Sequence, residues 1–331
     1  METDQSRIEA AEEGSQTRSL TRGSRSGVLS TYMPVAIFLL VLALLSVFVP
    51  NFLTHRNILN VLVQSSALGL MTIGMTAILI GGGIDLSIPA SMAFSGILGV
   101  LWMRAGGNPL VAALIMVCVS VVIGAVNGFA IGYLRMIPLV VTLATMAITT
   151  GASIAVTNAQ SVLGLHPAFI ETVLQKVGGI PMPVLILFFF TLVAAVLMRG
   201  SMYGRWLYAV GTNEKAARVS GIPSRAMILG TYVFGGFFAG VAAIVTTARL
   251  GAAAATMGRE SVVLDIISSA VVGGVSIYGG IGNPLGAVLG AIIIILISNS
   301  MNLMHVSYYI TLIVKGLVII AVVAVDSLRR R

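Results

Sequence analysis

The sequence predicts an all-α integral membrane protein with about ten transmembrane helices, and three observations predict it. Hydrophobic residues make up 57% of the chain and charged residues 9%, with a mean hydropathy of +1.03, a balance that no soluble core accounts for. At 331 residues the chain supplies about ten apolar runs of roughly 20 residues joined by short connections. The 37 glycines suit membrane helices whose backbones approach closely.

Residues 1–30 mix Glu2, Asp4, Glu9, Glu12 and Glu13 with Arg7, Arg18, Arg22 and Arg25 among many small polar residues. Such a stretch cannot bury enough apolar area to fold, so it reads as a disordered cytosolic tail. Acids crowd its start and no small-residue cleavage site follows a short apolar core, which argues against a cleavable signal peptide. Residues 31–327 are expected to form a single transmembrane domain, and 328–331 a basic cytosolic tail. The apolar segments fall at about 33–50, 58–80, 86–103, 110–132, 138–157, 183–198, 226–248, 262–277, 284–300 and 307–325.

With the N-terminus inside, thirteen of the 19 basic residues fall in inner segments, five in outer ones (Arg56, Arg104, Lys176, Arg249 and Arg259), and Lys315 within a span. The positive-inside rule therefore predicts cytosolic termini. The bases are scattered between apolar spans with no patch of interleaved aromatics, so nucleic acid is not an expected partner despite the net charge of +8. The lone cysteine, Cys118, excludes a disulfide framework and reads as inert packing.

Two glycine-rich connections stand out. Gly81-Gly82-Gly83-Ile84-Asp85-Leu86-Ser87 lets the backbone turn or unwind, and Asp85 or Ser87 can cap the next helix. No Lys-Ser or Lys-Thr follows, so this is not a P-loop, and nothing elsewhere supplies a nucleotide site. A structural cap and a direct contact with substrate both remain open for Asp85. The second run, Gly273-Gly274 through Gly279-Gly280 to Gly282, precedes Pro284, which suits the first turn of a helix.

The longest inner connection, 199–225, is a polar island with five bases (Arg199, Arg205, Lys215, Arg218 and Arg225) and one acid, Glu214. Its interior reads as a short helix: Thr212 or Asn213 accepts from the first free amides, Glu214 sits at the positive end of the dipole, and Gly221 and Pro223 stop it. Ala216, Ala217, Val219 and Ile222 would give that helix a shallow apolar side for docking into a groove on another protein, although an ordinary solvated loop fits the segment taken alone as well or better.

Glu214-x-Ala216-Ala217-x-x-x-Gly221 resembles the coupling motif by which permease subunits of ATP-binding-cassette importers engage their ATPase. Extended to Gly211, Asn213, Arg218, Ser220 and Ile222, it is similar to the version in the ribose-type sugar permeases. The resemblance continues in Gly82-Gly83-Ile84-Asp85-Leu86-Ser87, in Leu264-Asp265-Ile266 leading to Val272-Gly273-Gly274-Val275-Ser276, and in Ile313-Val314-Lys315-Gly316 with Asp326. It implies an importer-permease architecture in the bacterial inner membrane, embedded in lipid. It also implies three partners: a cytosolic ATPase that carries the ATP, a periplasmic sugar-binding protein, and a second permease subunit, the same or related. The chain itself would catalyse nothing and bind no cofactor, and Asn213, Glu214, Ala216, Ala217, Arg218 and Gly221 would be its ATPase-coupling residues.

Asp265 and Lys315 are the ionisable residues furthest inside spans, where a lone charge is costly, so they should have partners and can pair with each other. A structural ion pair and a proton relay both fit. The second would belong to the rival reading, an ion-coupled secondary transporter of a small polar solute. Gly82, Gly83, Asp85, Ser87, Gly273, Gly274, Asn299 and Asn302 are the turn or pathway candidates. Asn127, Asn158, Asn299 and Asn302 can either line a polyol path or hold helices together. His55, His166 and His305 are dispersed without ligand spacing, so no metal is expected.

Overall fold

A computed structural model describes residues 33–329. The expected N-terminal tail and the last two residues of the basic tail lie outside the described residues. In chain order the helices are α1 (Met33–Phe48), α2 (His55–Ile80), α3 (Ile88–Arg104), α4 (Pro109–Gly132), α5 (Pro138–Thr157) and α6 (Pro167–Leu174). A two-residue hairpin, β1 (Lys176–Val177) and β2 (Ile180–Pro181), leads to α7 (Met182–Gly200), α8 (Met202–Thr212) and α9 (Glu214–Val219). Then come α10 (Ser224–Leu250), a 3-10 turn (Ala255–Gly258), α11 (Glu260–Val272), α12 (Pro284–Leu303) and α13 (Tyr308–Arg329).

Among the described residues six helices, α2, α4, α5, α7, α10 and α12, are long and apolar enough to cross a membrane by length and composition. Among the described residues α1, α3 and the first part of α13 are apolar but shorter. Length and composition thus account for six of the about ten crossings expected. The segment expected over 262–277 ends early, at Val272, because Gly273 closes α11 and Gly274 turns the chain with φ +84°.

The centre of the fold is α2, whose most apolar 18-residue window is 89% buried. Around it pack α10, α12, α7 and α11, with α4 beyond α10 and α3 wedged between them. The outer helices α4, α5 and α7 turn Leu114, Val122, Val126, Ile148, Phe188 and Val196 outward, an apolar surface suited to lipid or to another membrane protein. Cys118 is exposed on this surface, so it is not the buried packing residue that the sequence suggests.

Small residues set the closest helix crossing. Gly124, Gly128 and Gly132 of α4 lie against the backbone of α10 at Tyr232, Leu229 and Arg225, while Gly236 and Gly240 of α10 lie against Ser120 and Val117 of α4. Membrane helices gain little from hydrophobic transfer when they meet, so dispersion over such close backbones carries the association.

Connections gather at two ends. At one, the α2–α3, α4–α5, α7–α10 and α11–α12 connections meet: the Gly280 amide donates to the Ile80 carbonyl at 2.8 Å, and Arg135 reaches Glu214. At the other, Val162 and Ala253 exchange backbone hydrogen bonds at 2.7 and 3.0 Å, and the Tyr308 hydroxyl meets Ser261. Three elements escaped the sequence reading. α6 is capped by Nδ1 of His166, which accepts from the Ala168 amide at 3.2 Å. The hairpin turns on Gly178 and Gly179 (φ +60° and +84°), the Gly-Gly pair that a two-residue turn requires. α8 buries Gly204, Leu207 and Val210, a three-residue period hidden among polar neighbours.

Candidate functional site

The 199–225 connection is built of two short helices, α8 and α9. Asn213 ends α8 and begins α9, its Oδ1 accepting from the Ala216 amide at 3.0 Å. Beyond Ser220, Gly221 takes φ +83°; its amide donates to the Arg218 carbonyl and the Ile222 amide to the Ala217 carbonyl, both at 3.0 Å. That pairing of bonds fixes where the six-residue helix ends.

Glu214 anchors α9 to the body. One carboxylate oxygen accepts from Arg135, in the α4–α5 connection, at 2.5 Å and from Arg218, one turn along, at 2.6 Å. Partial burial pushes this carboxyl up, but the two guanidiniums outweigh it and hold it below the usual Glu range. Arg135 itself sits in the left-handed region, φ +61°, where the chain turns into α5.

The apolar side of α9 differs from the expectation. Ala217 is only 5% exposed and packs with the core, and Ile222 follows it inward, whereas Val219 is 90% exposed. At 100° per residue Ala216 and Val219 share a face and Ala217 points away from it. The surface open to a partner is therefore Ala216 and Val219, with exposed Lys215 and Arg218 along one flank.

Directly beside α9 the glycine-rich turns converge. Gly82 (φ +79°) and Gly279 both pack on the backbone of Gly211 at the end of α8, and a Cβ at Gly211 would collide with the Ile80 carbonyl. Tyr208 of α8 donates to the Gly282 carbonyl at 2.7 Å. Gly83 touches the Tyr232 hydroxyl, while Gly273 and Gly274 lie further along, Gly273 pressed on Gly286 of α12. A cavity of about 380 Å³ opens here between Gly81–Gly83, Arg135 and Gly211–Glu214.

Asp85 is buried just behind these turns. Its Oδ1 accepts from the Ser87 amide at 2.8 Å and the Ser87 hydroxyl at 2.6 Å, so Asp85 closes the turn and Ser87 does not cap α3 with its side chain. Asn127 Nδ2 donates to the Ser87 hydroxyl at 2.9 Å, and the Thr145 hydroxyl donates to Asn127 Oδ1 at 2.6 Å. The chain of bonds ties α3, α4 and α5 together; Thr145 carried no sequence signal.

At the opposite end, Lys315 of α13 lies 2.9 Å from both carboxylate oxygens of Asp265 on α11. Their side chains are 14% and 17% exposed, and the exposure is to a cavity of about 540 Å³ bounded also by α2, α10 and α12. Asn299 donates to Asn57 at 3.0 Å between α12 and α2, so it joins helices there. Asn302 is exposed at the end of α12, and Asn158 is the left-handed cap of α5, φ +50°. No three of His, Cys, Asp and Glu lie close enough to share a metal among the described residues.

Residues 57–323 match the family model described as branched-chain amino acid transport system / permease component. The D-allose transport system permease protein AlsC of Escherichia coli (strain K12) is 39% identical over 280 residues, 84% of this chain and 85% of that protein. The ribose import permease protein RbsC of Bacillus subtilis (strain 168) is 36% identical over 306 residues, 91% of this chain and 94% of that protein. The L-arabinose ABC transporter permease protein AraH of Azospirillum brasilense is 30% identical over 309 residues, 93% of this chain and 88% of that protein. No solved structure matches the chain.

Proposed function

Because the chain belongs to the branched-chain amino acid transport system / permease component family, we propose that it is the membrane-spanning permease of an ATP-driven monosaccharide importer. The relatives named for D-allose, ribose and L-arabinose support the sugar. In this reading α1, α3, α11 and α13 cross the bacterial inner membrane as well, giving about ten spans with both termini cytosolic. ATP is bound and hydrolysed on a separate cytosolic ATPase, a periplasmic binding protein delivers the sugar, and a second permease subunit completes the pathway.

The observation that carries the reading is the mounting of α9. It is capped at both ends, held by Glu214 to Arg135, and turned so that Ala216 and Val219 face outward beside two exposed cations. A six-residue helix so fixed transmits displacement into the α4–α5 connection and the glycine turns behind it, which a freely solvated loop would absorb.

The test is reconstitution of the chain with its ATPase and binding protein. Val219→Asp is expected to weaken ATPase co-purification about tenfold and to abolish sugar-stimulated ATP hydrolysis while leaving the amount of membrane-inserted permease unchanged. Ala217→Asp, by contrast, buries a carboxylate and should lower folded protein as well. Full ATPase association with Val219→Asp would overturn the coupling assignment. Sugar uptake by the chain alone, without ATPase, would favour an ion-coupled transporter in which Asp265 and Lys315 are the coupling groups.

A further inference from the structure

The ion pair of Asp265 and Lys315 is not sealed between helices. Both groups form part of the wall of the 540 Å³ cavity at the end opposite α9, a volume in the range of small-molecule sites. Solvent-sized space beside the pair lowers the cost of desolvating the two ions and leaves both within reach of a solute. The rest of the lining is mixed in a particular way. Gln64 of α2 is half-buried, and its amide has no hydrogen-bond partner among the described residues. Arg249 and Arg259 stand exposed around the cavity, and Tyr308 presents an exposed ring, its hydroxyl 3.3 Å from Ser261.

We propose that this cavity is a binding site for a polyhydroxylated solute, with Asp265 accepting from two adjacent hydroxyls, Lys315 and Gln64 donating to others, and the Tyr308 ring covering an apolar face. The inference rests on the sugar reading above and deepens it. Arg249, Arg259 and Lys315 stand against the single acid Asp265, so the wall disfavours a cationic solute. Two carboxylate oxygens now shared with one ammonium can each exchange that bond for a hydroxyl, so a ligand enters without leaving either ion unpaired. Gln64 offers a donor and an acceptor at no further cost in charge.

A single cysteine placed at Ala252, on the cavity wall, in a Cys118→Ser background reports occupancy through its labelling by a membrane-impermeant maleimide. The full-length chain is reconstituted in proteoliposomes without binding protein. Millimolar D-ribose or D-allose is expected to slow labelling about tenfold, and leucine at the same concentration to leave it unchanged. The paired change Asp265→Asn with Lys315→Met leaves no lone charge in the membrane and should raise the half-protecting sugar concentration by about tenfold or more, since every charge-assisted hydrogen bond from the pair to the solute is lost. Gln64→Leu, which leaves the ion pair intact, should raise it as well and keeps the test open if the paired variant does not fold. Labelling that no sugar slows, or protection by leucine equal to that by sugar, overturns the site. Uptake by the complete transporter separates the two readings: sugar uptake without protection sinks the cavity alone, and absence of sugar uptake sinks the importer reading itself.

Discussion

Glu214 shows how one side chain can matter for position more than for stability. Its pairs with Arg135 and Arg218 are at the surface, where such bridges contribute no more than about 1 kcal/mol each. Removing them should therefore leave the chain folded and free α9 to move. Glu214→Gln and Arg135→Met are each expected to raise amide exchange across 213–222, and the double change to add little to either, a non-additivity that a double-mutant cycle detects. Additive effects would mean that the two residues act separately. The pH dependence follows from the direction of the shift. A carboxyl held below its unfolded value contributes fully above the usual Glu range and loses its contribution as pH falls through the depressed value. Exchange at 213–222 should stay low through mildly acid pH and rise only below the usual Glu range. Nothing local to Glu214 reveals Arg135, which lies 79 residues away and belongs to a connection with no motif of its own.

At the scale of elements, what the sequence makes legible is whatever has a local cause. Asn213 and Gly221 bracket α9 because a side-chain acceptor and a residue without a Cβ are needed at those two positions, and both needs can be read from neighbours alone. Which side of α9 faces outward depends on what covers Ala217, so the reading that grouped Ala216, Ala217, Val219 and Ile222 on one docking side was half right. The glycines divide in the same way. Gly236 and Gly151 look alike in sequence, each inside an apolar helix, yet a Cβ at Gly236 meets the Ser120 backbone and one at Gly151 meets nothing within 4 Å. Gly236→Val is expected to cost on the order of 1 to 3 kcal/mol by forcing α4 from α10, and Gly151→Ala to be neutral or stabilising by up to about 1 kcal/mol. Thermal denaturation of the purified chain in detergent measures both; equal effects would mean that the α4–α10 crossing is not set by backbone contact.

For the whole molecule, the charge argument and the geometry carry different weight. Between Met33 and the end of the described residues, the α9 end holds Arg135, Arg199, Arg205, Lys215, Arg218 and Arg225, with Arg329 closing α13, against five bases at the opposite end. The thirteen-to-five bias read from sequence is thus owed largely to the tails, and the alternation of connections between two ends is the stronger evidence for a common side. The glycine junction at that side joins residues far apart in the chain: Ile80, Gly211 and Gly280. A ribosome delivers these pieces in sequence, so α8 and α9 emerge with nothing on one flank until some seventy residues later, when the α11–α12 turn arrives to close over Gly211. Arg205 is exposed in the finished chain but held in α8, so a nascent chain halted after Ser276 should be cut there by trypsin in inverted membrane vesicles faster than the finished chain. The ATPase-binding face proposed on α9 would then mature only at the end of translation, and unfinished permeases would be kept from capturing an ATPase.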